Sequence, residues 1–181
     1  MIILISGMPG AGKSVAKDMI AKKLNYRPYS AGDIQRELAE ERGMTITEWG
    51  EEEKKDPKYD LLVDKRTEEA VKKNDNLVMD SWLAPHFVKD RSKVLTVFLE
   101  CEEMERARRR LTQKRATESF DSMQSVIKDM RQRVATNRER WIKFYSYDFL
   151  DKSNYDLIID TTKLTQEQVA DQIIAYMKDF C

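Results

Sequence analysis

Residues 1–14 read Met1-Ile2-Ile3-Leu4-Ile5-Ser6-Gly7-Met8-Pro9-Gly10-Ala11-Gly12-Lys13-Ser14, and this stretch decides the fold. Ile2–Ile5 is a short β-branched apolar run ended by a glycine-rich turn, which reads as a strand buried on both faces of a parallel sheet. After the turn, Val15, Met19, Ile20 and Leu24 recur at helical spacing, so a helix begins near Lys13. Between strand and helix, Gly7–Ser14 matches G-x-x-x-x-G-K-[ST] in full and in the right context. Its glycines let the backbone curl so that successive N–H groups point inward at phosphate oxygens. The helix start adds the positive end of its dipole. Lys13 can reach the β- and γ-phosphates of a nucleotide, and the Ser14 hydroxyl can ligate magnesium. The expected phosphate-binding set is Gly7, Pro9, Gly10, Ala11, Gly12, Lys13, Ser14 and Val15, with ATP as donor and Mg2+ as cofactor. The bland alternative is a glycine-rich strand–helix turn with no ligand.

Working outward, strand and helix alternate. Tyr26–Ser30 reads as a second strand and Ala31–Arg42 as a helix that Gly43 ends. Thr45 through Lys73 is charged and mostly helical, broken at Asp56-Pro57. Leu77-Val78-Met79, ending at Asp80, gives a third strand and Val94–Leu99 a fourth. Glu102–Lys114 and Asp121–Tyr145 read as helices, Leu157-Ile158-Ile159 as a fifth strand and Thr165–Phe180 as a closing amphipathic helix. The predicted fold class is α/β, a five-stranded parallel sheet covered by helices on both faces, in one domain spanning residues 1–181.

Composition narrows the setting. Lysine plus arginine and aspartate plus glutamate both number 32, so no net charge recommends a nucleic acid as partner. Two cysteines, Cys101 and Cys181, argue against a disulfide framework and for a reducing cytoplasm. Met1–Ile5 is too short for a signal peptide or a membrane span. The expectation is a cytoplasmic protein, monomeric because no exposed heptad pattern is present.

Three further groups carry chemistry. Asp80 ends an apolar strand, and ligands of open parallel sheets lie beyond the carboxyl ends of strands. It can hold a magnesium-bound water or a substrate group, or merely cap a turn. Ser30-Ala31-Gly32-Asp33 follows a strand and opens a helix, so its N–H groups can bind a second ligand, or Asp33 is an N-cap. Nine of the fourteen arginines lie between Arg106 and Arg140. In the long helix Met123, Val126, Ile127, Met130, Val134 and Trp141 mark the buried stripe. Arg131 and Arg138 share a ridge beside it, so both can serve charge developing in phosphoryl transfer.

The phosphate loop, the run Ser30–Ala39, Glu41-Arg42-Gly43-Met44, Asp56-Pro57, Asp60, Asp64-Lys65-Arg66, the strand ending at Asp80 and the tail Arg131, Arg138, Arg140-Trp141, Phe144-Tyr145 and Tyr155–Ile159 together resemble a cytidylate kinase of the archaeal type, within the nucleoside monophosphate kinases. The resemblance spans nearly the whole chain. It implies a P-loop three-layer sandwich with a core (1–30, 75–112 and 120–181), a monophosphate-binding helical insert at about 31–74 and a short lid at about 113–119. By likeness, Ser30, Asp33, Arg36, Arg66 and Asp80 hold the acceptor, Arg36 and Arg66 gripping its phosphate. Lys13, Arg131 and Arg138 span the transferred group, and Asp160-Thr161-Thr162 packs the adenine of ATP. Arg109, Arg110 and Arg115 compete for the lid role, and Arg110 is assigned to the ATP side. The chain departs from the family at Ser81-Trp82, where glycine and an acceptor-site arginine are usual.

The implied reaction moves the ATP γ-phosphoryl group to CMP, dCMP or a related monophosphate. The acceptor phosphate is largely ionised at neutral pH, its second pKa being about 6, so no general base is required. Two other readings stand beside it. A kinase of a small-molecule hydroxyl would need Asp33 or Asp80 as base, and a nucleotide-switched assembly factor would use slow ATP hydrolysis to change shape.

Overall fold

The computed structural model describes residues 1–112 and 122–180. The lid expected near 113–119, with Arg115, lies outside the described residues. Five strands, β1 (Ile2–Gly7), β2 (Arg27–Ser30), β3 (Leu77–Asp80), β4 (Val94–Glu100) and β5 (Leu157–Asp160), form one sheet in the order β2-β3-β1-β4-β5, every pair parallel. The described helices are α1 (Lys13–Leu24), α2 (Ala31–Glu40), α3 (Ile46–Lys55), α4 (Lys58–Lys73), α5 (Glu103–Thr112), α6 (Met123–Tyr145) and α7 (Gln166–Phe180).

The sheet is central because β1 is apolar on both faces. Ile3 and Ile5 point to one side, where they meet Ala16 and Ile20 of α1 and Ala170 and Ile173 of α7. Ile2 and Leu4 point to the other, against Ile34 and Leu38 of α2, Trp49 of α3 and Val63 of α4. Ile3, Leu4 and Ile5 are wholly buried, each contributing about 1.5–3 kcal/mol of transfer free energy. A third, aromatic cluster of Trp82, Phe98, Trp141, Tyr147 and Phe149 lies where α6 returns to the sheet. Successive connections first carry the chain from β1 to β2 and β3, then to β4 and β5 on the opposite side of β1. The strand order therefore reverses beside β1, and a crevice opens at the carboxyl ends of the strands there.

Element ends follow local chemistry. The Asp56-Pro57 break separates α3 from α4, and α3 begins with a reciprocal Thr45–Glu48 capping box. The helix expected to reach Arg42 ends at Glu40, and the chain leaves it through Gly43 at φ +65°. The helix expected from Asp121 begins at Met123, fixed by a Ser122–Ser125 capping box. Between β2 and β3 the chain forms only α2, α3 and α4, which pack on one another and on the Ile2/Leu4 face of the sheet. Among the described residues no helix is long and apolar enough to cross a membrane.

Candidate active site

The loop Gly7–Ser14 joins the end of β1 to the start of α1, at the crevice. Gly7 takes φ +139°, and a Cβ there would overlap the Leu99 carbonyl of β4. At Gly10, φ +83°, a Cβ would come within 2.7 Å of the Arg106 carbonyl oxygen. The loop is thus wedged between β4 and α5, and only glycine fits both contacts. Gly12 caps α1 with no side-chain hydrogen bond, so the first-turn N–H groups keep donors for phosphate oxygens. Lys13 Nζ donates to the Met8 carbonyl (3.1 Å) and lies 5.4 Å from the Trp82 ring centroid.

Ser14 Oγ donates to Asp80 Oδ2 at 2.8 Å. A hydroxyl and a carboxylate at this spacing are hard oxygen donors suited to a divalent cation shared with nucleotide phosphates, so these residues fit the metal expected here. Among the described residues no cluster of three or more His, Cys, Asp or Glu offers another metal site.

Beside Asp80, Ser30 pairs in register with it across β2 and β3 and caps α2, accepting from the Asp33 N–H (3.2 Å). The Asp33 carboxylate is the hub of this corner. Ser30 Oγ donates to it at 2.6 Å, Arg36 Nη2 at 2.5 Å, and Lys17 Nζ lies 3.8 Å away. Burial alone would raise the Asp33 pKa, but these hydrogen bonds and the Lys17 charge outweigh it and hold the carboxyl below the usual range. Arg66 of α4 donates to Glu41 (2.9 and 3.0 Å) and lies 3.8 Å from Glu37. Ser30, Asp33 and Arg36 therefore lie together near Asp80, whereas Arg66 is engaged by Glu37 of α2 and by Glu41, the residue that follows it.

On the other flank a cleft is lined by Gly10–Ala16 together with Arg109, Thr161, Leu164, Gln166 and Val169. Arg109 donates to the Thr161 hydroxyl (3.1 Å) and carbonyl (2.7 Å), and its Nε to Glu105 (2.9 Å). The Thr161 hydroxyl also lies 3.0 Å from the Ala11 carbonyl oxygen. Arg110, which the sequence reading assigns to the ATP side, has a buried side chain that donates to Asp129 of α6 at 2.9 Å. The reason is helical phase, because Arg106, Ala107 and Arg110 occupy the buried face of α5.

Arg131 and Arg138 are each held by a carboxylate. Arg131 makes a bidentate pair with Glu103 (2.9 and 2.6 Å) and Arg138 with Asp148 (3.0 and 2.6 Å). No contact among the described residues joins either to the phosphate loop. Arg133 of α6 lies 5.4 Å from the centroid of the Trp82 ring that Lys13 also faces. A signal for it existed. Val126, Met130, Arg133, Asn137 and Trp141 form one i, i+4, i+7 face, so Arg133 is a charge set on a largely apolar stripe.

Known proteins were compared with this geometry. A family model described as an AAA domain (AAA_18) matches residues 3–130. A cytidylate kinase of Methanosarcina mazei is 32% identical over 171 residues, 94% of this chain and 93% of that relative. The chain belongs to the archaeal-type cytidylate kinase family. It is an ATP-dependent phosphotransferase, a P-loop kinase that uses ATP with a divalent metal. An S-adenosylmethionine-dependent nucleotide dehydratase of Lacinutrix mariniflava is 35% identical over 175 residues, 96% of this chain and 35% of that protein. A crystal structure of shikimate kinase from Bacteroides thetaiotaomicron superposes with a TM-score of 0.65 at 19% identity, covering 98% of both chains. That likeness concerns the fold alone.

The structure absorbs Ser81 and Trp82, where the chain departs from the resemblance given above, into the scaffold. Ser81 Oγ accepts from the N–H groups of Leu83 (3.3 Å) and Ala84 (3.1 Å), shaping the turn that follows β3. Trp82 is buried, stacks on Phe149 at 4.7 Å and 14°, and donates its indole N–H to the Gly7 carbonyl at 2.6 Å.

Proposed function

We propose that this chain transfers the γ-phosphoryl group of magnesium-bound ATP to CMP or dCMP, yielding ADP and the nucleoside diphosphate. The observation that carries the reading is the state of Asp33. Hydrogen-bonded by Ser30 and Arg36 and faced by Lys17, its carboxyl is ionised and fully engaged, so it is a poor general base for a hydroxyl. Arg36 beside it suits an acceptor that arrives already anionic. The likeness to curated cytidylate kinases supports cytosine as the base, and the partial likeness to a nucleotide dehydratase supports a nucleotide over a small sugar or acid.

In this reading Ser14 and Asp80 would hold the metal. When bound, the ion supplies charge neutralisation at the β- and γ-phosphates. Loop N–H groups and Lys13 orient the donor phosphates, and Arg109 with Thr161 lines the donor-base cleft. Ser30, Asp33 and Arg36, with Arg66 at the outer edge, hold the acceptor. Lys13 and Arg133 supply the charge that meets the spreading negative charge of the transferred group. Positioning and charge neutralisation are the whole of the chemistry asked of the protein.

ADP formation from ATP and Mg2+ with CMP, dCMP, UMP, AMP, GMP or no acceptor tests this. Stimulation confined to CMP and dCMP is expected. Stimulation by another monophosphate alone would reassign the base, and no stimulation by any would refute the monophosphate kinase reading in favour of a hydroxyl acceptor or a nucleotide switch. Lys13→Ala is expected to abolish turnover with unchanged folding.

A further inference from the structure

We propose that Trp82 is a positioning residue for the phosphate loop, acting through the backbone of Gly7 and the charge of Lys13. The proposal rests on ATP being the loop's ligand, as argued above, and goes beyond it by assigning a role to a residue outside the loop and 75 positions from Gly7 along the chain.

Three observations meet at this side chain. Its indole N–H donates to the Gly7 carbonyl at 2.6 Å, and Gly7 is the residue where the backbone leaves β1 at φ +139°. The next N–H, of Met8, is held by the Leu99 carbonyl at 3.2 Å. The first turn of the loop is therefore pinned on one side by β4 and on the other by Trp82. Second, the ring is not free to tilt, because it stacks on Phe149 and meets Trp141 edge-on at 6.0 Å. Third, its remaining π surface draws two cations, Lys13 Nζ and the Arg133 guanidinium, each 5.4 Å from the centroid. An aromatic face attracts a cation without neutralising it, whereas a carboxylate in the same place would form an ion pair that competes with phosphate. Trp82 thus gathers positive charge beside the loop.

The three tryptophans differ in one respect that makes the idea testable. Among the described residues the buried indole N–H groups of Trp49 and Trp141 meet no hydrogen-bond acceptor, while that of Trp82 is bonded to the loop. Among the described residues, deleting all three N–H groups therefore removes the one indole hydrogen bond, that to Gly7.

The experiment measures the Kd of magnesium-bound ATP by calorimetry, without acceptor, together with thermal unfolding. Wild type is compared with Trp82→Phe, with Trp49→Phe, a buried position in the cluster formed with α2, α3 and α4, and with wild-type protein made with a benzothiophene analogue of tryptophan, which keeps the ring and lacks the N–H. Trp82→Phe and the analogue protein are expected to bind ATP about tenfold more weakly, the scale of one buried hydrogen bond left unmade. Trp49→Phe is expected to lower the melting temperature while keeping Kd within about twofold, since it spares the contact with Gly7. Should Trp82→Phe fail to fold, the analogue protein carries the test. Unchanged affinity in the analogue protein, or equal weakening by Trp49→Phe, would overturn the role of Trp82 while leaving the kinase reading intact. Wild type that does not bind ATP at all would overturn both.

Discussion

Ser14 and Asp80, 66 residues apart, meet through a 2.8 Å hydrogen bond from the serine hydroxyl to the carboxylate, joining the first turn of α1 to the end of β3. The contact brings the donor loop and the acceptor-side strand to one point. Asp80→Asn should keep the fold and raise the Mg2+ concentration for half-maximal activity by about 10–100-fold, as for a group that orients a metal's shell. Titration of Mg2+ at saturating ATP checks this, and an unchanged half-point would remove Asp80 from the metal site.

Arg109 and Arg110 are neighbours in sequence with opposite duties. Arg109→Ala should raise the KM for ATP roughly three- to tenfold by removing a guanidinium from the donor cleft. Arg110→Ala should leave that KM nearly unchanged and cost about 2 kcal/mol of stability by breaking its bond to Asp129. Steady-state kinetics beside denaturant unfolding separates them, and reversed effects would restore Arg110 to the ATP side.

Arg36 is held by Asp33 at the mouth of α2. Arg36→Ala should raise the KM for the monophosphate by about 10–100-fold, the worth of a charge-assisted hydrogen bond to phosphate, with the KM for ATP within about twofold. Equal losses for both substrates would refute an acceptor-specific role.

Asp64 of α4 is buried against α6, where Tyr145 donates to it at 3.0 Å. Burial pushes its pKa up to about 6, the Tyr145 hydrogen bond opposing. The fold thus favours the neutral acid, and the unfolded chain, with a carboxyl pKa of about 3.9, releases its proton first as pH rises. This group's contribution is therefore fully present below about pH 4 and is lost as pH rises through about 6. Arg140, 3.4 Å from the other carboxylate oxygen, favours the charged form, so the expected loss is roughly 1–3 kcal/mol. Unfolding of wild type and Asp64→Asn at pH 4.5 and 7.5 reads it directly. The Asn variant should gain on wild type at the higher pH, and a pH-independent difference would mean that Asp64 stays ionised on Arg140.

The sheet, the phosphate loop and the α3–α4 break were legible because each depends on neighbours in sequence: an apolar run, a glycine pattern, a proline. The arginines were only partly so. Spacing put Arg131 and Arg138 on one ridge, but the carboxylates that hold them, Glu103 and Asp148, come from α5 and from the segment after α6. The burial of Arg110 was not legible because the faces of α5 could not be phased from a helix so rich in charge. The contact of Trp82 with the phosphate loop was not legible because its partner, the Gly7 carbonyl, belongs to β1, 75 positions away. Local pattern reveals which residues can act, and tertiary contact decides which of them do.

The seat of the phosphate loop on α5 makes that helix a ruler. Arg106 donates to the Pro9 carbonyl at 3.4 Å and presses its own carbonyl on Gly10, while Arg109, less than one turn later, reaches into the donor cleft. At about 100° of rotation per residue, inserting one residue between them would keep the loop clamped yet swing Arg109 out of the cleft. Helical pitch thereby sets the distance between the clamp on the loop and the arginine that lines the cleft, and a homologue that lengthened α5 at this point would have to line that cleft with another residue.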